Sequence, residues 1–292
     1  MEILHITPAR GAGREFSEWL DEYEKLLASR KYAKKTLQNK FALLRVIRRE
    51  LGRKSIRKIT PRNLADFIDL YTVRDNTSAA KSAYILMRDI FREAWLAGWI
   101  QYSPSLPLRP PKDPVKRARL VLDEWKKIYK LSRVICRPYM PHAMALALVT
   151  GQRRGDISKM RRSDIFDDHL HIIQEKTGFR LALPLDLYCA AIDKTLRQVI
   201  NACPGDDYLL SPKRQVNVFS LSVGFKLARD AAYPDTAERW KSPPTFHEQR
   251  SLSERLYRGQ GIDTQRLLGH KSRFMTDRYN DDRGREWKRL VL

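Results

Sequence analysis

The chain has 292 residues, 42% hydrophobic and 10% aromatic, enough for two cored domains, which sets aside a disordered or fibrous protein. Its 56 basic residues against 34 acidic ones give a formal charge of +22, with 20 against 12 up to Ser105 and 36 against 22 beyond it; a chain basic in both halves suits a polyanion gripped from two sides, or a generic positive surface. Three cysteines without close pairing (Cys136, Cys189, Cys203) argue against a disulfide framework or zinc ribbon and for thiols in a reducing cytosol, and neither a signal pattern nor an apolar run of about 18 residues points to a membrane.

In chain order, residues 1–15 read as a tail with Pro8, Gly11 and Gly13 and no helical period. Phe16, Trp19, Leu20, Tyr23, Leu26 and Leu27 recur at three and four, the spacing of an amphipathic helix. A second helix is expected from about Thr36 to Leu51, carrying Leu37, Phe41, Leu44, Val46 and Ile47. A third opens at Thr60-Pro61, an N-cap followed by proline at the first helical position. A fourth runs from Thr77 to about Trp99 with Tyr84, Met87, Ile90, Phe91 and Trp95 as its apolar stripe. Together they predict a small helical bundle over 16–102. Lys31, Lys34, Lys35, Lys40, Arg45, Arg48, Arg49, Arg53 and Lys54 are interleaved with this pattern, and most read as a solvated face.

Five prolines between Ser103 and Pro114, then Lys116, Arg117 and Arg119, mark residues 103–119 as a basic linker, either a strap across a polyanion or a segment without contacts. A second domain is expected over 120–292. Helices are predicted at Leu122–Ser132, Pro138–Val149, Arg153–Arg161, Tyr188–Ala202 and Asn217–Ala232. Between them, His169–Gln174 and Phe179–Pro184 form a strand hairpin with Lys176 at its tip. His142 reads as a core residue, and His169 with His171 lacks a third metal ligand. The fold class is therefore mainly α with a small antiparallel β-sheet (α+β).

The stretch Thr245–Arg285 concentrates the chemistry. His247 and Arg250, three apart on a helix, would face one ligand; His270 follows inside LLGH and Tyr279 nine residues later. Upstream lie Arg153 in TGQRRGD and Lys176 in QEKTG. Singly, each has an ordinary reading: a local ion pair for His247 and Arg250, a helix C-cap with left-handed Gly269 for LLGH, a half-buried aromatic for Tyr279, an exposed turn residue for Lys176.

The ordered set Arg153, Lys176, His247-x-x-Arg250, His270, Tyr279 resembles the tyrosine recombinase (phage integrase) family, supported by TGQR, KTG, PPTFHE, RSLS, LLGHKS and DDRGREW. The resemblance covers Phe16 to the C-terminus. It implies a helical core-binding domain and a tyrosine recombinase catalytic domain, no cofactor, and double-stranded DNA attachment sites as substrate. Arg153 and Arg250 would clamp the scissile phosphate, and Lys176 would protonate the departing 5′ oxygen. His247 would serve as base or hydrogen-bond partner, His270 as donor to a non-bridging oxygen, and Tyr279 as nucleophile. Lys34, Lys35, Lys40, Arg45, Lys116, Arg117 and Arg119 would neutralise phosphates. A homotetramer acting through a Holliday junction follows, in the cytoplasm and nucleoid of a bacterial host.

Two departures stand out. Gln249 occupies a usually apolar position and should alter packing under Arg250 rather than chemistry. Only about 15 residues precede Phe16 where some family members carry an arm-binding domain, so dependence on a host DNA-bending protein and an excision factor is open. Tyr233 and Tyr257 are rival nucleophiles by type, and Asp167-Asp168 with Asp281-Asp282 would be the raw material of a two-metal nuclease. A topoisomerase IB-like relaxing enzyme and a non-catalytic DNA-binding descendant are the rival functions. An apolar C-terminal tail, Trp287, Leu290, Val291 and Leu292, is expected to pack on its own domain or on a neighbour.

Overall fold

The computed structural model describes residues 14–112, 118–212 and 214–280, without the side chains of Arg278 and Asn280. The expectations for the N-terminal tail to residue 13, for Lys116 and Arg117, for Asp281-Asp282 and for residues 286–292 lie outside them. The chain divides into two compact units, 1–114 and 115–292, each with its own apolar core.

The first unit is built from α1 (Phe16–Ser29), α2 (Lys34–Leu51), α3 (Pro61–Thr72) and α4 (Thr77–Leu96). Phe16, Trp19, Leu20, Tyr23 and Leu27 of α1 are buried with Leu44 and Ile47 of α2, Leu64 and Phe67 of α3 and Met87, Ile90 and Phe91 of α4. The start of α3 is fixed as its sequence demands: Thr60 Oγ1 accepts from the Asn63 N–H at 3.3 Å, and Asn63 Oδ1 accepts from the Thr60 N–H at 3.2 Å. The fourth helix stops at Leu96, short of Trp99, because Gly98 takes a left-handed φ of 74° and turns the chain back. Trp95, still within α4, stands 49% exposed because the buried stripe runs through Ala94 instead, and Trp99, past the turn, is the tryptophan that returns to the core, 5.5 Å from Trp19. Arg48 is not free for a partner: it pairs with Asp21 at 2.8 Å and Glu24 at 3.1 Å, tying α2 to α1. Lys34, Lys35, Arg45 and Arg49 remain exposed on α2, and Lys40 lies 5.0 Å from the Tyr32 ring centroid.

Part of the proline-rich stretch is packed rather than extended. Ser103 and Ser105 are buried and joined hydroxyl to hydroxyl at 2.8 Å, and Leu108 lies against the first core. At the other end Ala118 N–H donates to Ser242 O at 2.8 Å and Leu120 is fully buried, so these residues belong to the second unit.

In the second unit, α5 (Leu122–Ile135) precedes α6 (Tyr139–Thr150), which is buried from Met140 to Thr150 except at His142 and packs on α5 and on α7 (Arg154–Lys159), α8 (Leu196–Asn201), α9 (Val218–Ala232) and α11 (Glu248–Gly259). A helix apolar all round is a central helix, and its end fixes where Arg153 emerges. The sheet has three antiparallel strands in sequence order, β1 (Ile165–Phe166), β2 (His169–Ile173) and β3 (Arg180–Pro184), with His169 opposite Pro184 and Ile173 opposite Arg180. The predicted helix Tyr188–Ala202 is half hairpin: β4 (Tyr188–Cys189) pairs with β5 (Lys194–Thr195), and only α8 is helical. Asp193 in a left-handed conformation (φ 51°) makes the turn, and Thr195 starts the helix by accepting from the Gln198 N–H at 3.3 Å. The remaining helices are α10 (Thr236–Arg239), α12 (Thr264–Leu268) and α13 (Arg273–Asn280). Among the described residues no helix is long and apolar enough to cross a membrane.

Candidate active site

The site begins with two helix ends. The C-terminal carbonyls of a helix lack intrahelical donors and carry the negative end of its dipole. Here α6 ends at Gly151 (φ 65°) and α12 at Gly269 (φ 61°), both left-handed. Arg250, on the first turn of α11 and only 1% exposed, links the two ends: Nη1 donates to Gly151 O at 2.6 Å and Nη2 to Leu268 O at 2.6 Å. Burial, and then the charge of Arg153, lowers its pKa to about 10, which still leaves it charged at neutral pH. Its Nε is buried with no acceptor among the described residues. A buried guanidinium with an unmet N–H is a donor set waiting for an anion.

Arg153 caps the start of α7, and its Nη1 donates to Gln174 Oε1 at 3.1 Å. Gln174 is fully buried at the foot of the β2–β3 turn; its Nε2 donates to Gln152 Oε1 at 2.7 Å and to Leu268 O at 2.9 Å. Gln152 in turn donates to Leu267 O at 2.9 Å. These two amides tie the ends of α6 and α12 to the hairpin and hold Arg153 against them. Sequence reading passed over both, since glutamine carries no chemical signature of its own; the signal was their place inside TGQR and IIQEKTG.

Around the arginines stand two histidines and the tyrosine. His247 caps α11, with its Nε2 3.5 Å from the Tyr279 hydroxyl. His270, 5% exposed, stacks on Tyr279 with centroids 5.4 Å apart and planes at 23°. Its Nε2 lies 3.0 Å from Arg250 Nη2 and its Nδ1 2.9 Å from Thr276 Oγ1. Burial, reinforced by Arg250 and Arg153, lowers its pKa to about 4, so the ring is neutral at physiological pH. The Tyr279 ring lies 5.8 Å from the Arg250 guanidinium carbon. Arg153, His247, Arg250, His270 and Tyr279 are thus gathered in one cluster, two by direct contact with Arg250 or Tyr279 and Arg153 through Gln174.

Lys176 is not brought in: it stands exposed in the turn closed by Gly178 N–H to Gln174 O at 2.8 Å, without a side-chain hydrogen bond or ion pair among the described residues. The rival tyrosines lie elsewhere. Tyr257 is fully buried, its phenol pushed up first by desolvation, and Tyr233 packs on Trp240 at 5.2 Å. Asp167 and Asp168 form a left-handed turn, with Asp168 paired to Arg197 at 2.9 Å. His171 stacks on Phe166, and among the described residues no His, Cys, Asp or Glu group of three or more could hold a metal.

Arg119, expected on a basic strap, is 6% exposed and donates to Ser251 Oγ and to the Tyr279 carbonyl. Ala118 and Leu120 on either side of it are buried too, so the whole segment lies in the second unit, with Arg119 on the carbonyl of α13. Gln249 fills its apolar slot by pairing: it is fully buried and accepts from the Trp125 indole N–H at 2.7 Å.

The sequence pattern described as the phage integrase family matches residues 119–285. Among curated proteins the chain is 42% identical to prophage integrase IntE of Escherichia coli K12, over 98% of this chain and 80% of that one. It is 39% identical to the integrase of Escherichia phage lambda, over 94% of this chain and 78% of that one. Among solved structures, a lambda integrase dimer bound to a COC′ core site superposes with a TM-score of 0.88 at 36% identity, covering 96% of this chain and 81% of that chain. A lambda integrase tetramer bound to a Holliday junction gives the same TM-score, 0.88, and identity, 36%.

Proposed function

The chain belongs to the phage integrase family, and on that premise we propose that it cuts and rejoins DNA at defined attachment sites, with Tyr279 as the nucleophile. The observation that carries this reading is the Tyr279 phenol, 3.5 Å from His247 Nε2 and held over a buried Arg250 whose Nε has no acceptor among the described residues.

Each residue answers one demand of phosphodiester cleavage. A phenol of pKa ~10 must lose its proton as it attacks, and His247, 3.5 Å away, accepts it. The Tyr279 Oη–phosphorus bond forms and the phosphorus–O5′ bond breaks, leaving a 3′-phosphotyrosine and a 5′ oxygen that takes a proton from Lys176, which in the DNA-free protein stands exposed at the hairpin tip outside the cluster. Charge growing on the non-bridging oxygens meets Arg153 and Arg250, whose planar forks fit phosphate where an ammonium offers a point charge. His270 adds a further donor. The phosphotyrosine keeps the energy of the broken bond, so a 5′ hydroxyl from another strand reverses the step without a cofactor.

Exchange between two duplexes requires four such sites, hence a homotetramer passing through a Holliday junction, as the lambda tetramer is seen bound. In the first unit, Lys34, Lys35, Lys40 and Arg45 neutralise phosphates of the same duplex. A host DNA-bending protein and an excision factor are the accessory partners of this reading, and host nucleoid DNA its place of action.

The test is covalent capture: incubate the protein with nicked duplexes tiled from DNA flanking its gene, denature, and look for protein-linked DNA. A linked band that disappears in Tyr279→Phe while DNA binding persists is expected. A band that survives in Tyr279→Phe assigns the nucleophile elsewhere.

A further inference from the structure

Thr276 lies on α13 three residues before Tyr279, on the same face of the helix, and is fully buried against His270. A guanidinium has only donors, so the 3.0 Å contact between Arg250 Nη2 and His270 Nε2 requires a lone pair on Nε2. The ring proton is then on Nδ1, donated to Thr276 Oγ1 at 2.9 Å. In the DNA-free protein His270 is therefore an acceptor that braces Arg250. A scissile phosphate oxygen in the same place demands the reverse, an N–H on Nε2. Imidazolium would supply both N–H groups, but burial between Arg250 and Arg153 disfavours it.

We propose that Thr276 is a positioning residue that lets His270 exchange tautomers, turning the ring from a brace for Arg250 into a donor to the scissile phosphate. Water delivers a proton to Nε2 and takes the one leaving Nδ1, so the ring stays neutral and the proton count is unchanged. The Thr276 hydroxyl rotates from accepting at Nδ1 to donating to it, since one hydroxyl serves either tautomer. Arg250 Nη2 is released toward the phosphate in the same exchange. Because Thr276 and Tyr279 share α13, docking of that helix delivers the nucleophile and completes the phosphate donor together. This role rests on the strand-exchange function proposed above.

The experiment pairs two readouts. Nitrogen NMR of the histidine rings in the DNA-free protein, with His270 assigned by His270→Gln, should show the proton on Nδ1. Single-turnover cleavage of a nicked duplex, with DNA affinity measured alongside, should fall about tenfold or more in Thr276→Val at unchanged affinity and recover in Thr276→Ser. A DNA-free ring protonated on Nε2, a Thr276→Val variant at the wild-type rate, or a Thr276→Ser variant as slow as Thr276→Val would each overturn the proposal. A wild-type protein that forms no Tyr279–DNA link overturns the function itself, and the DNA-free ring spectrum keeps that failure distinct from a wrong tautomer.

Discussion

Arg250 meets a geometric demand that no other cation can meet. Its two terminal nitrogens each hold a carbonyl, Gly151 O and Leu268 O, while Nε is left for a ligand. Arg250→Lys keeps the charge but loses the fork, so one helix-end carbonyl loses its arginine donor and the proposed phosphate clamp is halved. Single-turnover cleavage should drop on the order of 100–1000-fold, the usual loss for one preorganised donor; cleavage at the wild-type rate would refute the clamp. His270 carries a second prediction. With a pKa of about 4 in the folded protein against 6.5 as a free side chain, it refuses a proton that the unfolded chain accepts. Its share of stability is complete above pH 6.5 and is lost as pH falls toward 4, on the order of 1–3 kcal/mol. Urea unfolding across that range should show the decline, and His270→Asn should flatten it; an unchanged slope would mean the ring is not shielded. At this scale the sequence singled out Arg153, His247, Arg250, His270 and Tyr279, which the structure gathers in one cluster, because arginine, histidine and tyrosine announce their chemistry. It hid Gln152 and Gln174, whose importance lies only in what they join.

At the scale of elements, the site depends on where helices stop. Gly269 ends α12 in the left-handed region, and a Cβ there would meet Phe179 Cδ1 at 2.8 Å and Gln174 Nε2 at 2.9 Å. Gly269→Ala should therefore combine backbone strain with displacement of the amide under Arg153, costing about 1–3 kcal/mol and slowing cleavage. Thermal unfolding and single-turnover rates would check it; a variant normal in both would show that the glycine serves only as a cap. LLGH was legible as a C-cap from sequence, and so were the four helices of the first unit, whose apolar residues follow helical spacing. The stretch 188–202 was not. Its YCAAI run carries no glycine or proline, and the turn falls on Asp193, one of the few non-glycine residues at positive φ.

At the scale of the whole molecule, a charge of +22 spread over both units suits a polyanionic partner, but charge does not say which cations would face it. Arg119 and Arg45 look alike in sequence. In the structure Arg119 is buried under α13 and holds the Tyr279 carbonyl, while Arg45 stands exposed on α2 with Lys34 and Lys35. A burial difference of this kind separates two functions by salt. Each phosphate contact releases condensed counterions, so removing one lowers the slope of log affinity against log salt by about 0.9. Replacing Lys34, Lys35 and Arg45 together with alanine should lower that slope by up to about 3, and should slow cleavage only as far as binding is lost. Arg119→Ala should do the opposite, leaving the slope unchanged while cleavage of saturated DNA falls, because the Tyr279 carbonyl is no longer held. Fluorescence anisotropy over a salt series, with single-turnover cleavage at saturating protein, measures both. If Arg119→Ala flattened the salt dependence, the residue would belong with the phosphate contacts after all; if the triple variant did not, the exposed face of α2 would not lie on DNA.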